Sequence, residues 1–377
     1  MTCDLTTPID LLFPQRISFG PGAAAEVARW AESRGLRRPL VVADPVNVAR
    51  LDRLGFAPGV ACYSGFPPEP DAVALDHLLA AVRAAEPDLI IGFGGGSAMD
   101  LAKLAAVLPD SGQSFTAVVG AGKVVRRRTA LVQVPTTAGT GSEVGTRALI
   151  TDPATLNKLA VQSAHMLADF AAIDPDLMAS MPRAVTVATG VDALAHCIEC
   201  YTNRNAHPII DLYVLEGIRL VGRLLPRAAD DGADREARAG MALAALYGGF
   251  GLGPVNTAAG HAVAYPLGSR HHIPHGAANA LIFPHVLAFN ASAVPERTAA
   301  ILQALGLPVS AEPQEVFAAA QRWCVDLGCK MRLSEFGVPA DDLPAMAREA
   351  HAIRRLLDNN PRELSEQDIL AMYRAAY

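Results

Sequence analysis

Four short runs of apolar and β-branched residues, "PLVVAD" (39–44), "LIIGF" (89–93), "ALVQVP" (130–135) and "TRALIT" (146–151), alternate with helical patterns, of which "DAVALDHLLAAVRAAE" (71–86) is the clearest. Strands that are apolar throughout must be covered on both faces, and helices between them supply the cover, so the pattern predicts a parallel sheet in an α/β domain. That architecture binds nucleotides. After "DPDLMASMPR" (174–183) the texture changes to long Ala/Leu-rich segments such as "DLYVLEGIRLVGRLL" and "REARAGMALAALYGG". We read residues 1–182 as the α/β domain and 183–377 as an all-helical one, with Ser180 and Pro182 marking the helix start between them. There is no repeat of fixed period and no low-complexity tract.

The totals exclude several classes. A chain of 377 residues most often makes two domains, and 51% apolar with 19% charged residues suits a buried, enzyme-like core. A net charge of −6, with one basic triplet at Arg126–Arg128, argues against a nucleic-acid surface. The early Asp4 and the absence of a basic n-region argue against a signal peptide. The longest uncharged stretch, 239–268, contains glycines, Pro254, Asn256 and His261, which suit a buried helix and loop and not a membrane span. Six cysteines (Cys3, Cys62, Cys197, Cys200, Cys324, Cys329) are too sparse for a disulfide scaffold and imply a reducing, cytoplasmic compartment. Cys197 and Cys200 read as small packing residues.

Two loops in the first half carry nucleotide chemistry. In "LIIGFGGGSAMDLAKLAAVL" (89–108) a strand runs through Gly94, Gly95 and Gly96 into a helix whose free N–H groups and positive dipole end suit a pyrophosphate. The hydroxyl-rich loop "PTTAGTGSEVGT" (135–146) follows another apolar strand and suits ribose and phosphate oxygens. Asp44, at the end of "PLVVAD", is placed to accept from a ribose 2′-hydroxyl and to repel a 2′-phosphate, which favours NAD over NADP.

The second half carries metal-type residues. Asp192 and His196 stand four apart on a predicted helix and share a face. The same segment also reads as a T-x-x-D capping box from Thr189, which would occupy Asp192 structurally. "GHAVAYPLGSRHHIPHG" (260–276) gathers His261, His271, His272 and His275 in an apolar context, where imidazoles are costly unless bonded or ligated. Three imidazoles and one carboxylate would fit a divalent transition ion with a position open for a substrate oxygen. His285 is a further candidate.

"GGGSAMD" (94–100), "PTTAGTGSEV" (135–144), "TGVDALAHCIECY" (189–201) and "GHAVAYPLGSRHHIPHGAANALIFPHV" (260–286), in this order, resemble the iron-containing (group III) alcohol dehydrogenases from about residue 17 to residue 290. The resemblance implies a dinucleotide-binding α/β domain, an all-helical domain, and NAD and a metal in the interdomain cleft. It puts the metal ligands on Asp192, His196, His261 and His275, with Fe²⁺ as the ion and Zn²⁺ next. Cofactor contacts fall on Asp44, Gly95, Gly96, Ser97, Asp100, Thr136, Thr137, Ser142, Val144 and Lys158. His271 and His272 match no ligand position.

Many members of the family carry a second histidine four residues after the His261 position; here Tyr265 stands there. Tyr265 is the candidate for proton exchange, with a cofactor ribose hydroxyl or bound water as the alternatives, since a phenol titrating near pH 10 in model peptides is no unperturbed substitute for imidazole. The "YPLG" form resembles a subgroup that includes hydroxyacid enzymes, and Arg270 is a candidate for meeting a substrate carboxylate. The expected reaction is reversible hydride transfer between NAD and a small alcohol or hydroxyacid, with no nucleic-acid or membrane partner, in a homodimer. A hydroxyacid–oxoacid transhydrogenase, a dehydroquinate-synthase-like lyase and a non-catalytic binding protein are the alternatives.

Overall fold

The computed structural model describes residues 5–153 and 158–377; Cys3 lies outside them. Two compact units are present: 11–137 with 141–180, and 181–377 with Ala138–Thr140 and the stretch ending at Asp10. The chain thus leaves the first unit between Ser180 and Met181. A three-residue piece of the hydroxyl-rich loop belongs with the helical unit, which no linear division of the sequence conveys.

The α/β unit is built on strands β1 (Arg16–Phe19), β2 (Pro39–Ala43), β3 (Ala61–Tyr63), β4 (Leu89–Gly94), β5 (Gly120–Ala121), β6 (Ala130–Pro135), β7 (Arg147–Thr151), β8 (Lys158–Gln162) and β9 (Phe170–Ile173). Six of them form one sheet in the order β1-β9-β6-β4-β2-β3, with every pairing parallel. Helices α1 (Glu26–Ser33), α2 (Ala72–Ala85), α3 (Gly96–Ser111) and the short α4 (Phe115–Val118) complete the unit. Leu75, Leu78, Leu101 and Leu104 pack with Ile90 and Leu131 on one face of the sheet, and Val27, Trp30 and Leu177 with Val41, Ile91 and Val132 on the other. Two-sided cover explains why β4 is buried at every residue. α2 starts where its cap dictates, with the Asp71 carboxylate accepting from the Ala74 N–H at 2.8 Å.

"TRALIT" does not join that sheet. Its strand β7 pairs antiparallel with β8, and β8 pairs with β5, in a separate three-stranded sheet. The run alternates half-buried and buried residues, as a strand with one covered face does. In the main sheet the chain reverses direction of travel about β2: β3 lies on one side and β4 on the other. The crevice beyond the carboxyl ends of strands at such a switch point is where open α/β sheets bind ligands. Asp44 and the Gly94–Gly96 turn follow β2 and β4 there.

The helical unit comprises α5 (Arg183–Thr202), α6 (Pro208–Asp230), α7 (Arg235–Leu252), α8 (Ala259–His271), α9 (His275–Ala291), α10 (Pro295–Leu305), α11 (Pro313–Asp326), α12 (Leu343–His351), α13 (Arg354–Leu357) and α14 (Glu366–Ala375). α5 packs against α6, α7 and α9 and is buried around most of its circumference. The 239–268 stretch divides between α7, a loop and α8, and no helix among the described residues is long and apolar enough to cross a membrane. Cys197 and Cys200 are buried thiols directed at the Ala244 and Asn256 carbonyls.

Candidate metal centre and nucleotide loops

Asp192, His196 and Glu199 recur along one face of α5, where i, i+4 and i+7 superimpose. Because α5 is central, this face is buried, and three ionisable groups in it must find partners. α8 contributes His261, and α9 contributes His275 at its first residue and Asn279 one turn later. The start of α9 comes this close to α5 because residue 276 is glycine: a Cβ there would lie 2.1 Å from the Ala188 carbonyl oxygen.

The T-x-x-D capping reading of Asp192 is wrong. α5 begins six residues before Thr189, whose hydroxyl instead donates back to the Val185 carbonyl at 2.9 Å. Asp192 is left free to meet the histidines. Its Oδ1 lies 3.5 Å from His261 Nε2, 3.4 Å from His275 Nε2 and 3.9 Å from His196 Nε2, and the two rings on α5 and α8 approach at 3.0 Å between their Nε2 atoms.

The second nitrogen of two rings is already committed. His196 Nδ1 donates to the Gly139 carbonyl at 3.2 Å, and His261 Nδ1 donates to the Glu199 carboxylate at 2.6 Å. Carbonyl and carboxylate only accept, so each ring carries a proton on Nδ1 and turns its Nε2 toward the other. The Asn279 amide faces the same atoms, 2.8 Å from Asp192 Oδ1, 3.4 Å from His261 Nε2 and 3.2 Å from His275 Nε2. A cation bonded at about 2.1 Å to donors spread between octahedral and tetrahedral angles would separate them by about 3.0–3.4 Å, which matches the closest pairs here. The donor set therefore fits a divalent transition ion.

The electrostatics agree. Burial opposes charge throughout, and it pushes His196 down to about 4. In Asp192 the surrounding imidazoles override burial and hold the carboxyl well below its usual range. In His261 the Glu199 and Asp192 carboxylates override burial and raise the ring, while His261 in turn lowers Glu199. A fixed negative charge faces the ring nitrogens, and a bound cation would take the place of the second proton that the raised His261 ring holds toward Asp192.

Tyr265, one turn beyond His261, stands beside the cluster with ring centroids 6.4 Å from His261 and 5.8 Å from His275. The other histidines point elsewhere. His272 is the left-handed residue that ends α8 (φ 53°), and His271 Nε2 lies 2.8 Å from Asp342 Oδ2. His285 packs its ring against Phe317, centroids 4.8 Å apart. Arg270, in the last turn of α8, grips Asp342 through two bonds (3.0 and 2.6 Å) and Glu349 at 2.7 Å. Its charge is taken, and the substrate-carboxylate role is withdrawn.

In the α/β unit the candidate cofactor residues gather around the ends of β2, β4 and β6. Asp44 Oδ2 accepts from the Gly95 N–H at 2.8 Å, and burial raises its pKa. Any Cβ on Gly94 would sit 2.1 Å from that oxygen, whereas none of the three consecutive glycines has positive φ. Space, not left-handed backbone, is what this turn requires. Gly95 is the N-cap of α3, with no side chain capping it, so the N–H groups of the first turn, from Gly96 through Ser97, are presented beyond the sheet. Thr136 accepts from Asn47 Nδ2 at 3.1 Å and Thr137 faces Gly95.

Within the first turns of α3, Asp100 uses both oxygens, accepting from Ser142 Oγ (2.6 Å) and the Leu149 N–H (2.8 Å). The wholly buried Lys103 bonds Ser142 Oγ at 2.6 Å and the Arg147 carbonyl at 2.7 Å. Val144 is buried, Ser97 Oγ accepts from the Glu69 N–H, and Lys158 pairs with Glu69 at 3.0 Å.

Glu199, Asn279 and the Gly139 carbonyl were not recognised in the sequence. Glu199 was within reach, since it continues the Asp192/His196 face by one turn; a charged residue in an otherwise apolar helical run carried the signal.

A glycine turn at the switch point of a parallel sheet and an acceptor cluster sized for a divalent ion are together the equipment of a metal-dependent dehydrogenase. Residues 14–175 match the model of the iron-containing alcohol dehydrogenases, and 186–377 match that of the C-terminal part of the Fe-containing alcohol dehydrogenase family. The long-chain-alcohol dehydrogenase 1 of Geobacillus thermodenitrificans (strain NG80-2) is 35% identical over 97% of this chain and 96% of its own. The crystal structure of a 1,3-propanediol oxidoreductase superposes with a TM-score of 0.93 at 32% identity, covering 98% of this chain and 100% of that one. That of sulfoacetaldehyde reductase from Bifidobacterium kashiwanohense, in complex with NAD⁺, gives 0.88 at 28% identity over 98% and 99%. The chain belongs to the iron-containing alcohol dehydrogenase family and is an oxidoreductase.

Proposed function

We propose that this enzyme catalyses reversible hydride transfer between NAD and a small primary or secondary alcohol, using a divalent ion held by Asp192, His196, His261 and His275. The observation that carries the proposal is the buried cluster of Asp192, His261 and His275, whose ligand atoms lie within 4.8 Å of one another, with His196 Nε2 3.0 Å from His261 Nε2. Iron is the first choice and zinc the second. When bound, such an ion supplies Lewis acidity toward a substrate oxygen.

The chain's own residues supply the rest. Asp192 offsets the ion's charge, and Gly139 and Glu199 hold two rings in the ligating tautomer. The uncapped N-terminus of α3 receives the pyrophosphate through backbone N–H groups, with Gly94 keeping the turn close to Asp44. Thr136 and Thr137 border that turn, and Lys158 and Ser142 serve the ribose and nicotinamide end. Tyr265 exchanges the hydroxyl proton with solvent, its phenol being the polar side chain one turn beyond His261.

A hydroxyacid substrate is the second reading. Arg270 no longer supports it, but the exposed Arg355 guanidinium lies 5.8 Å from the Tyr265 ring centroid and could meet a carboxylate beside the cluster. Reduced thiols among the described cysteines suit a cytoplasmic location, and a homodimer is the commonest closed assembly.

The test is NADH formation by protein reconstituted anaerobically with Fe²⁺ or Zn²⁺, against a panel of alcohols and hydroxyacids. Metal-dependent turnover with free NAD is expected. Turnover without exchange of free NADH would replace the proposal with a transhydrogenase, and turnover in chelator-treated protein would remove the metal from it.

A further inference from the structure

Glu199 makes more contacts with His261 than a neighbour needs. Its Oε1 accepts from the ring Nδ1 at 2.6 Å, and its Oε2 accepts from the backbone N–H of Ala258, in a short bond, and from that of His261 at 3.4 Å. α8 has no side chain of its own at its N-cap, so a carboxylate reaching over from α5 caps it. One group thereby fixes both the backbone and the ring of the same residue. The chain makes room for it: a Cβ on Gly260 would stand 2.6 Å from Glu199 Oε1.

We propose that Glu199 is the positioning residue of the metal centre, selecting the His261 tautomer whose Nε2 is free to ligate. This rests on the ligand set proposed above. A carboxylate against Nδ1 keeps the proton there and makes Nε2 a better donor. An amide in its place either accepts more weakly from Nδ1–H or turns its NH₂ toward Nδ1, and the latter forces the proton onto Nε2, where no metal can bind. Gly260 is the steric partner of this arrangement, since alanine would displace the carboxylate without touching any ligand.

The experiment is competition for Zn²⁺ between the full-length protein and a chromophoric chelator, with NADH affinity and thermal midpoint recorded alongside. Glu199→Gln and Gly260→Ala are expected to weaken Zn²⁺ binding about 10- to 100-fold, the usual cost of losing such an outer partner, with NADH affinity unchanged. His261→Ala in the same assay keeps the two ideas separate. If His261→Ala binds Zn²⁺ like the parent, the ligand set is wrong and this inference falls with it. If His261→Ala loses Zn²⁺ while the other two variants stay within about threefold of the parent, the ligand set survives and Glu199 is only a helix cap. Should Glu199→Gln fail to fold, Gly260→Ala decides alone, because alanine raises helix propensity at that position.

Discussion

The two units treat their polar residues in opposite ways. In the α/β unit Asp44, Asp100, Thr136, Ser142 and Lys158 are all bonded to the protein itself, and the uncapped first turn of α3 presents its backbone N–H groups. In the helical unit the protein binds the outer nitrogens of His196 and His261 to Gly139 and Glu199 and turns the inner ones toward each other and Asp192. A dinucleotide offers many anionic oxygens and can be held by a preformed cradle of amides. A metal ion needs specific lone pairs, and every one must be aimed. Side chains therefore build the loop in one unit and form the site in the other.

The contrast makes mutations separable. The largest effect belongs to a ligand: His261→Ala should lower turnover by about 10³-fold or more, since the Lewis acid is worth several kcal/mol, with NADH titration unchanged. Loss of NADH binding in that variant would break the division. Next comes Asp100→Asn, which removes the carboxylate 3.5 Å from the buried Lys103 and leaves Glu143 as its charged neighbour; a cost of about 1–3 kcal/mol is expected, read as a lower denaturation midpoint with metal affinity retained.

Glu143, buried beside Lys103 in the same loop, sharpens the comparison through pH. Burial raises its carboxyl from 4.5 to about 7, with Lys103 pulling the other way. The folded state then binds the extra proton between those values, so the contribution to stability is fully present below about 4.5 and is lost as pH rises through 7. Glu143→Gln should flatten that slope and stabilise the protein at pH 8 by roughly 3 kcal/mol at most. An unchanged pH–stability curve would show that the loop relaxes around the charge. The smallest effect is expected from Arg270→Ala: a partly exposed ion pair is worth about 1 kcal/mol or less, and KM for hydroxyacids should not move.

Much of this was legible. Apolar runs bounded by helices announced the parallel sheet, and "GFGGGS" announced a strand turning into a helix. Asp192 and His196 declared a common face by spacing alone. What could not be read was set by tertiary contacts. "TRALIT" looks like any other strand until β8 pairs with it backwards. The four clustered histidines differ only by the bend after His271, where a left-handed residue and Pro274 swing the chain so that His275 returns to α5 while His271 meets Asp342. Arg270 resembled a substrate anchor because its partners, Asp342 and Glu349, lie more than seventy residues ahead. Glu199 was passed over because a glutamate in a helix is ordinarily at the surface.

The central claim is that a single divalent ion sits among Asp192, His196, His261 and His275. The most direct measurement is an anomalous difference map from crystals of the metal-reconstituted protein, collected at the absorption edge of the added ion. One peak within bonding distance of Asp192 Oδ1 and the three Nε2 atoms is the expected result. A loaded, active crystal whose peak lies away from those atoms, or has none of them as ligands, would contradict it.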